Sequence, residues 1–137
     1  MKGVKLCNKT FKAEVFSGKN EGEFFVSIYS KNIKKSLGFT PFPGTLNARL
    51  ISDVDEFNNC LSKSKAVVIN PPEIPNAKYA RVIAYPILLF NSLNAYILRP
   101  EITIYKKDVV EIIFERRLRD LLNIYDGSII DINIVLD

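Results

Sequence analysis

Apolar and polar positions alternate along much of this chain, and the alternation sets the elements it is expected to form. Phe11, Ala13 and Val15 fall on one side and Lys12 and Glu14 on the other, which predicts a half-buried strand over 11–17. Ser17-Gly18-Lys19-Asn20-Glu21-Gly22 breaks that pattern. Phe24, Val26 and Ile28 then recur at a spacing of two, so a second strand is expected over 23–28, with 18–22 as the hairpin connection. Ser30 as N-cap, Ile33 and Leu37 on one face and Gly38 as the stop predict a short helix over 30–37. Further strands are expected over 47–51, 65–70, 79–90 (one strand that bends at Pro86, or two short ones), 93–99, 108–114 and 128–136. Two more short helices are expected, one over 53–61 capped by Asp53. The other runs from Phe114, with Leu118, Leu121 and Leu122 at helical spacing. Three prolines make 70–76 a loop, and Asp126-Gly127 reads as a tight turn.

Short strands, long returns and few helices favour a closed β-barrel, because closure removes exposed edges. With 137 residues and 47% hydrophobic content, one domain over 1–137 with a core of its own is the expectation. Cys7 and Cys60 are the only cysteines and histidine is absent, which argues against a disulfide framework and a Cys/His zinc site and removes the commonest general base. The N-terminus carries no signal-like apolar run and no stretch has the length of a membrane span, so a reduced, cytoplasmic location without a membrane partner is expected. The net charge of +4 is scattered along the chain and suits an anionic small ligand as well as nucleic acid.

Four stretches carry candidate chemistry. In Leu37-Gly38-Phe39-Thr40-Pro41-Phe42-Pro43-Gly44-Thr45-Leu46-Asn47, prolines and glycines constrain a loop that leads into a strand. Thr45 and Asn47, two apart, present a hydroxyl and an amide oxygen to one point, as a hard cation such as Mg²⁺ requires; the plain alternative is a polar strand start bonded to nearby backbone. The glycines of 18–22 form either a simple turn or a nest of N–H groups for phosphate. Glu111 shares a strand face with Val109 and Ile113. It is either an edge glutamate reaching water or a carboxylate whose burial would raise its pKa and make it a proton acceptor. Arg116, Arg117 and Arg119 open the helix that starts at Phe114, as a solvated surface or as a phosphate site.

The string from Leu37 to Asn47 resembles the L-G-F-x-P-x-x-G-T-L-N segment of the archaeal CTP-dependent riboflavin kinases, and weaker matches extend over roughly 11–51 and 78–135. The resemblance implies a mainly β fold, a small closed six-stranded Greek-key-like barrel with a few short helices. It implies transfer of the γ-phosphoryl group of CTP to the 5′-hydroxyl of riboflavin, giving FMN and CDP, with Mg²⁺ on Thr45 and Asn47. Thr103 and Glu111 match the flavin-contacting pair, with Glu111 as the catalytic base. Gly18, Lys19, Asn20, Glu21, Gly22 and Glu23, together with Arg116, Arg117, Leu118 and Arg119, match the segments that hold the nucleotide. Asn20 replaces the family's middle glycine, Glu23 is atypical, and Phe114-Glu115 replaces a small residue and proline. The choice of CTP rests on the resemblance alone. A monomer working on riboflavin and CTP, without nucleic acid, is expected. The alternatives are a non-catalytic barrel binding nucleic acid or a protein partner through Lys31, Lys34, Lys35 and the arginines, and a degenerate flavin binder.

Overall fold

The computed structural model describes residues 5–18, 21–101 and 107–136. In chain order the elements are β1 (Phe11–Phe16), α1 (Glu21–Leu37), β2 (Leu46–Leu50), α2 (Val54–Lys63), β3 (Val67–Ile69), β4 (Val82–Leu89), β5 (Leu93–Pro100), β6 (Val109–Ile113), α3 (Leu118–Leu122) and β7 (Ile129–Ile134). The strands pair antiparallel in the order β3-β4-β5-β6-β2-β1-β7, and β4 also pairs with β7. That second pairing closes a six-stranded barrel and leaves β3 as an appendage on the first half of β4, where Val67 to Ile69 face Ala84 to Val82.

Pro86 sits where β4 changes neighbours, between its β3-paired and β7-paired halves. The Pro86 carbonyl accepts from Val135 N on the β7 side (3.0 Å). Its nitrogen faces that same edge, so the missing N–H falls at the gap between two ladders and costs none of the pairing with β5. The strand therefore continues through the proline as one element.

Alternation fills the barrel. Phe11, Ala13, Val15, Ala48, Ile87, Leu89, Ile97, Ile112, Ile130, Ile132 and Ile134 point inward and are buried, and Phe57, Cys60 and Leu61 of α2 join the same cluster. A second cluster lies outside the wall, where Val26, Tyr29 and Ile33 of α1 cover Ile69, Val82, Ala84, Leu98 and Ile113. The Tyr29 hydroxyl donates to the Ala80 carbonyl (2.5 Å), which satisfies the polar tip of a buried ring.

Several expectations are overturned here. No strand occupies 23–28 and no hairpin connects it to β1: the helix α1 begins at Glu21, and Ser30 lies in its middle rather than at its cap. Val26, Tyr29 and Ile33 recur at three and four residues, and burial of that face over the barrel wall wins over the local period of two. Gly38 does end the helix, with φ +85° and its N–H bonded to the Lys34 carbonyl. Asp53 stands at the α2 N-cap with left-handed backbone and no capping bond; its carboxylate pairs with Lys9 at 3.0 Å instead. Helix α3 starts only at Leu118, after the chain has turned away from β6 at Phe114. Cys7 and Cys60 form a disulfide, with a Cα–Cα distance of 6.3 Å, against the expectation of two reduced cysteines. The segment holding Cys7 bonds along the end of β7, and the buried face of α2 brings Cys60 to it, so packing joins two residues that spacing could not pair.

Candidate active site

Register builds the site. Phe16 of β1 lies opposite Asn47 of β2, and Asn47 lies opposite Glu111 of β6, so three adjacent strands put these residues in one row. Their neighbours Val15, Leu46, Ala48, Val110 and Ile112 point into the barrel, which turns the row to the outside of the wall. Thr45, just before β2, donates its hydroxyl to Asn47 Oδ1 at 2.9 Å and lies 3.4 Å from Glu111 Oε1. Three side-chain oxygens, two from the start of β2 and one from β6, thus converge on one half-buried spot.

Above this spot opens a cleft of about 370 Å³. One wall is the proline-bounded loop carrying Phe42, Pro43 and Gly44; Phe42 N bonds to the Phe114 carbonyl at 2.8 Å, which ties the loop to the end of β6. The opposite wall is Phe16, Ser17 and Gly18, and Arg116, Arg117, Leu118 and Arg119 complete the rim. Glu111 stands one hydroxyl behind the floor, reached through Thr45.

Most of the expected site residues fall among the described residues. Thr45, Asn47, Gly18, Arg116, Arg117, Leu118 and Arg119 line one cleft, although Gly18 and Arg119 are far apart in sequence. Leu118 is buried, so its side chain anchors the rim rather than gripping a ligand. Glu21, Gly22 and Glu23 form the first turn of α1, not a hairpin loop, and a helix start offers unbonded N–H groups. Lys19, Asn20 and Thr103 lie outside the described residues.

Gly18 is there for space. A Cβ at this position would come within 2.1 Å of Asn47 Nδ2, so only glycine lets the end of β1 rest against the asparagine side chain.

The arginines differ in how they are held. Arg117 pairs with Asp120 at 2.6 Å, and Arg116 makes no ion pair among the described residues. Arg119 is held by Asp126 Oδ1 at 2.7 Å, by the Phe16 carbonyl at 3.3 Å and by Ser17 Oγ at 3.4 Å. Ser17 Oγ in turn donates to the Asp126 carboxylate at 2.8–2.9 Å. The Ser17 hydroxyl, then the Arg119 guanidinium, hold the Asp126 carboxyl below the usual carboxylate range. Sequence reading assigned Asp126 only to a turn and gave Ser17, Phe42 and Phe114 no chemistry. No local signal marks Ser17 and Asp126 as partners, because they stand 109 residues apart.

As chemistry, a cluster of hard oxygens beneath a rim of arginines suits a polyphosphate bound with a divalent cation. Among the described residues no group of three or more His, Cys, Asp or Glu gathers. No helix among them is long and apolar enough to cross a membrane.

Comparison with known proteins points the same way. The family model CTP-dep_RFKase, described as a domain of unknown function, DUF120, matches residues 15–134. A riboflavin kinase of Aeropyrum pernix is 45% identical over 118 residues, covering 86% of this chain and 89% of that protein. One from Staphylothermus marinus is 35% identical, covering 88% of each chain. A third, from Archaeoglobus fulgidus, is 32% identical over 127 residues; the chain covers only 54% of it, and 59% of a Pyrobaculum aerophilum relative.

Proposed function

From its membership of the CTP-dependent riboflavin kinase family, we propose that this chain transfers the γ-phosphoryl group of CTP to the 5′-hydroxyl of riboflavin, giving FMN and CDP. The observation that carries the reading is the convergence of Thr45, Asn47 and Glu111 beneath a cleft rimmed by Arg116, Arg117 and Arg119. Phosphoryl transfer asks for little beyond placement of the two substrates and neutralisation of charge, and the two parts of this cleft divide those tasks.

Thr45 Oγ1 and Asn47 Oδ1 lie side by side, and both are hard, neutral donors of the kind Mg²⁺ takes. Thr45 and Asn47 would hold the ion, which would supply positive charge to offset that of the phosphates.

Glu111 receives the proton. The ribityl oxygen forms its bond to Pγ while the bond from Pγ to the bridging oxygen breaks and its electron pair leaves with CDP. The hydroxyl proton passes to the Glu111 carboxylate, the base on hand in a chain without histidine. Arg116 and Arg119 bind the phosphates from the rim, and Gly18 offers backbone to them from the other side. Thr103, outside the described residues, is assigned to the flavin by the family resemblance alone.

The test is riboflavin phosphorylation by the purified protein with Mg²⁺, with CTP, ATP, GTP and UTP compared in parallel. FMN formed mainly from CTP is the expected result. Flavin binding without transfer from any triphosphate would instead make the chain a flavin binder, and no flavin binding at all would overturn the reading.

A further inference from the structure

Asp126 has no part in the chemistry above, yet it sits where two walls of the cleft meet. Its Oδ1 takes a 2.7 Å ion pair from Arg119 Nη2, and both its oxygens accept from Ser17 Oγ. Its own loop is anchored, since Gly127 N bonds to the Val15 carbonyl and Val15 N to the Ser128 carbonyl, each at 2.8 Å. The carboxylate is therefore a fixed post against β1. All the hydrogen bonds that Arg119 makes among the described residues run through Nη2, so the three N–H of Nε and Nη1 are left for a ligand in the cleft that Arg119 lines. On the other side, Ser17 precedes Gly18, and Gly18 is the residue pressed against the Asn47 amide.

We propose that Asp126 is a positioning residue for the nucleotide: it aims the Arg119 guanidinium at the phosphates and, through Ser17, fixes Gly18 against Asn47. This rests on the kinase reading for the identity of the ligand, a nucleoside triphosphate, while the geometry of the network stands on its own. Long flexible side chains grip phosphate well only when their orientation is set in advance, and a charge-assisted pair sets it. Asp126 thus couples the arginine side of the cleft to the oxygen cluster on its floor, without touching substrate.

The test compares the wild-type chain with Asp126→Asn, Ser17→Ala, Arg119→Lys and the Arg119→Lys/Asp126→Asn double variant. CTP affinity with Mg²⁺ is measured by titration calorimetry, KM and kcat for both substrates by FMN formation, and folding by thermal melting. Asp126→Asn is expected to weaken CTP binding about tenfold, the size of one charge-assisted hydrogen bond, with riboflavin KM unchanged. Ser17→Ala should shift it in the same direction by less. The double variant should lose less than the sum of the two single losses, because the larger part of the Asp126 effect passes through Arg119 and only the part carried by Ser17 remains to be lost.

Unchanged CTP affinity in Asp126→Asn overturns the proposal. So does tighter binding, which would make the carboxylate a competitor of the phosphates, and so does a parallel rise in both KM values with a lowered melting point, the mark of a purely structural role. Should Asp126→Asn not fold, Ser17→Ala decides by the same readouts. A wild-type protein that binds CTP but transfers nothing, with binding weakened in Asp126→Asn, sinks the kinase reading and leaves this inference standing. A wild-type protein that binds no triphosphate sinks both.

Discussion

Single atoms govern this site. Glu111 lies 3.4 Å from the Thr45 hydroxyl and pairs across the sheet with Asn47, so replacing its carboxylate by an isosteric amide keeps the shape and removes the proposed base. Glu111→Gln should still bind flavin while FMN formation falls by about 10²-fold or more; a single-turnover rate equal to wild type would reduce Glu111 to a binding role. Gly18 provides a different kind of test. A Cβ 2.1 Å from Asn47 Nδ2 must push the amide aside, so Gly18→Ala should lose most of its transfer rate at an unchanged melting temperature. Because the harm passes through Asn47, adding Gly18→Ala to Asn47→Ala should cost nothing more, and an additive loss would show that Gly18 acts elsewhere. That the Thr45 and Asn47 side chains meet was legible in the sequence, because residues two apart at a strand start share a face. The close approach of Gly18 was not, since a glycine kept for space looks like a glycine kept for a turn.

Among the elements, strands were easier to read than helices. In β1, β6 and β7 inward and outward residues alternate over five or six positions, and each strand lies within its expected span. Helix α1 defeated the same rule, because Phe24, Val26 and Ile28 satisfy a period of two within a window too short to exclude one of 3.6. What decides is burial that only the fold supplies: Val26, Tyr29 and Ile33 are 0–2% exposed against the barrel wall. Ile33 makes this measurable. Ile33→Ala should destabilise the protein by about 2–5 kcal/mol in urea unfolding, the range for emptying a packed aliphatic site. A loss under about 1 kcal/mol would mean that the helix is loosely docked and gives way around the cavity. The first turn of this helix is the segment assigned to the nucleotide, so Ile33→Ala should also weaken CTP binding if docking positions that turn.

At the scale of the molecule, closure was inferable from many short strands, but what staples the closed barrel was not. Two cysteines, Cys7 and Cys60, argued against a disulfide framework, and the packing of α2 beside the end of β7 brings them together. Exposed charges add a modest stabilisation that depends on pH. Hydrogen bonds from Lys9 and then Ser52 hold the Asp53 carboxyl below its ordinary value near 3.8. Its stabilising effect is thus present above that value and is lost as the pH falls through the lower, folded one. Asp53→Asn should flatten the fall in melting temperature below pH 4, and an identical profile would show that the pair with Lys9 does not persist in solution. The disulfide stabilises the fold more than these charges do, and its effect depends on redox state rather than on pH. It spans 53 residues, and constraining a loop of that length in the unfolded chain stabilises the fold by about 4 kcal/mol in the chain-entropy account. Neither cysteine lines the cleft. Reduction, or Cys60→Ser, should therefore lower the melting temperature by roughly 10–15 °C while leaving FMN formation well below that temperature unchanged. A melting point that ignores reductant would show that the two thiols are not joined in solution. A loss of activity without loss of fold would show that the staple at α2 is felt in the cleft.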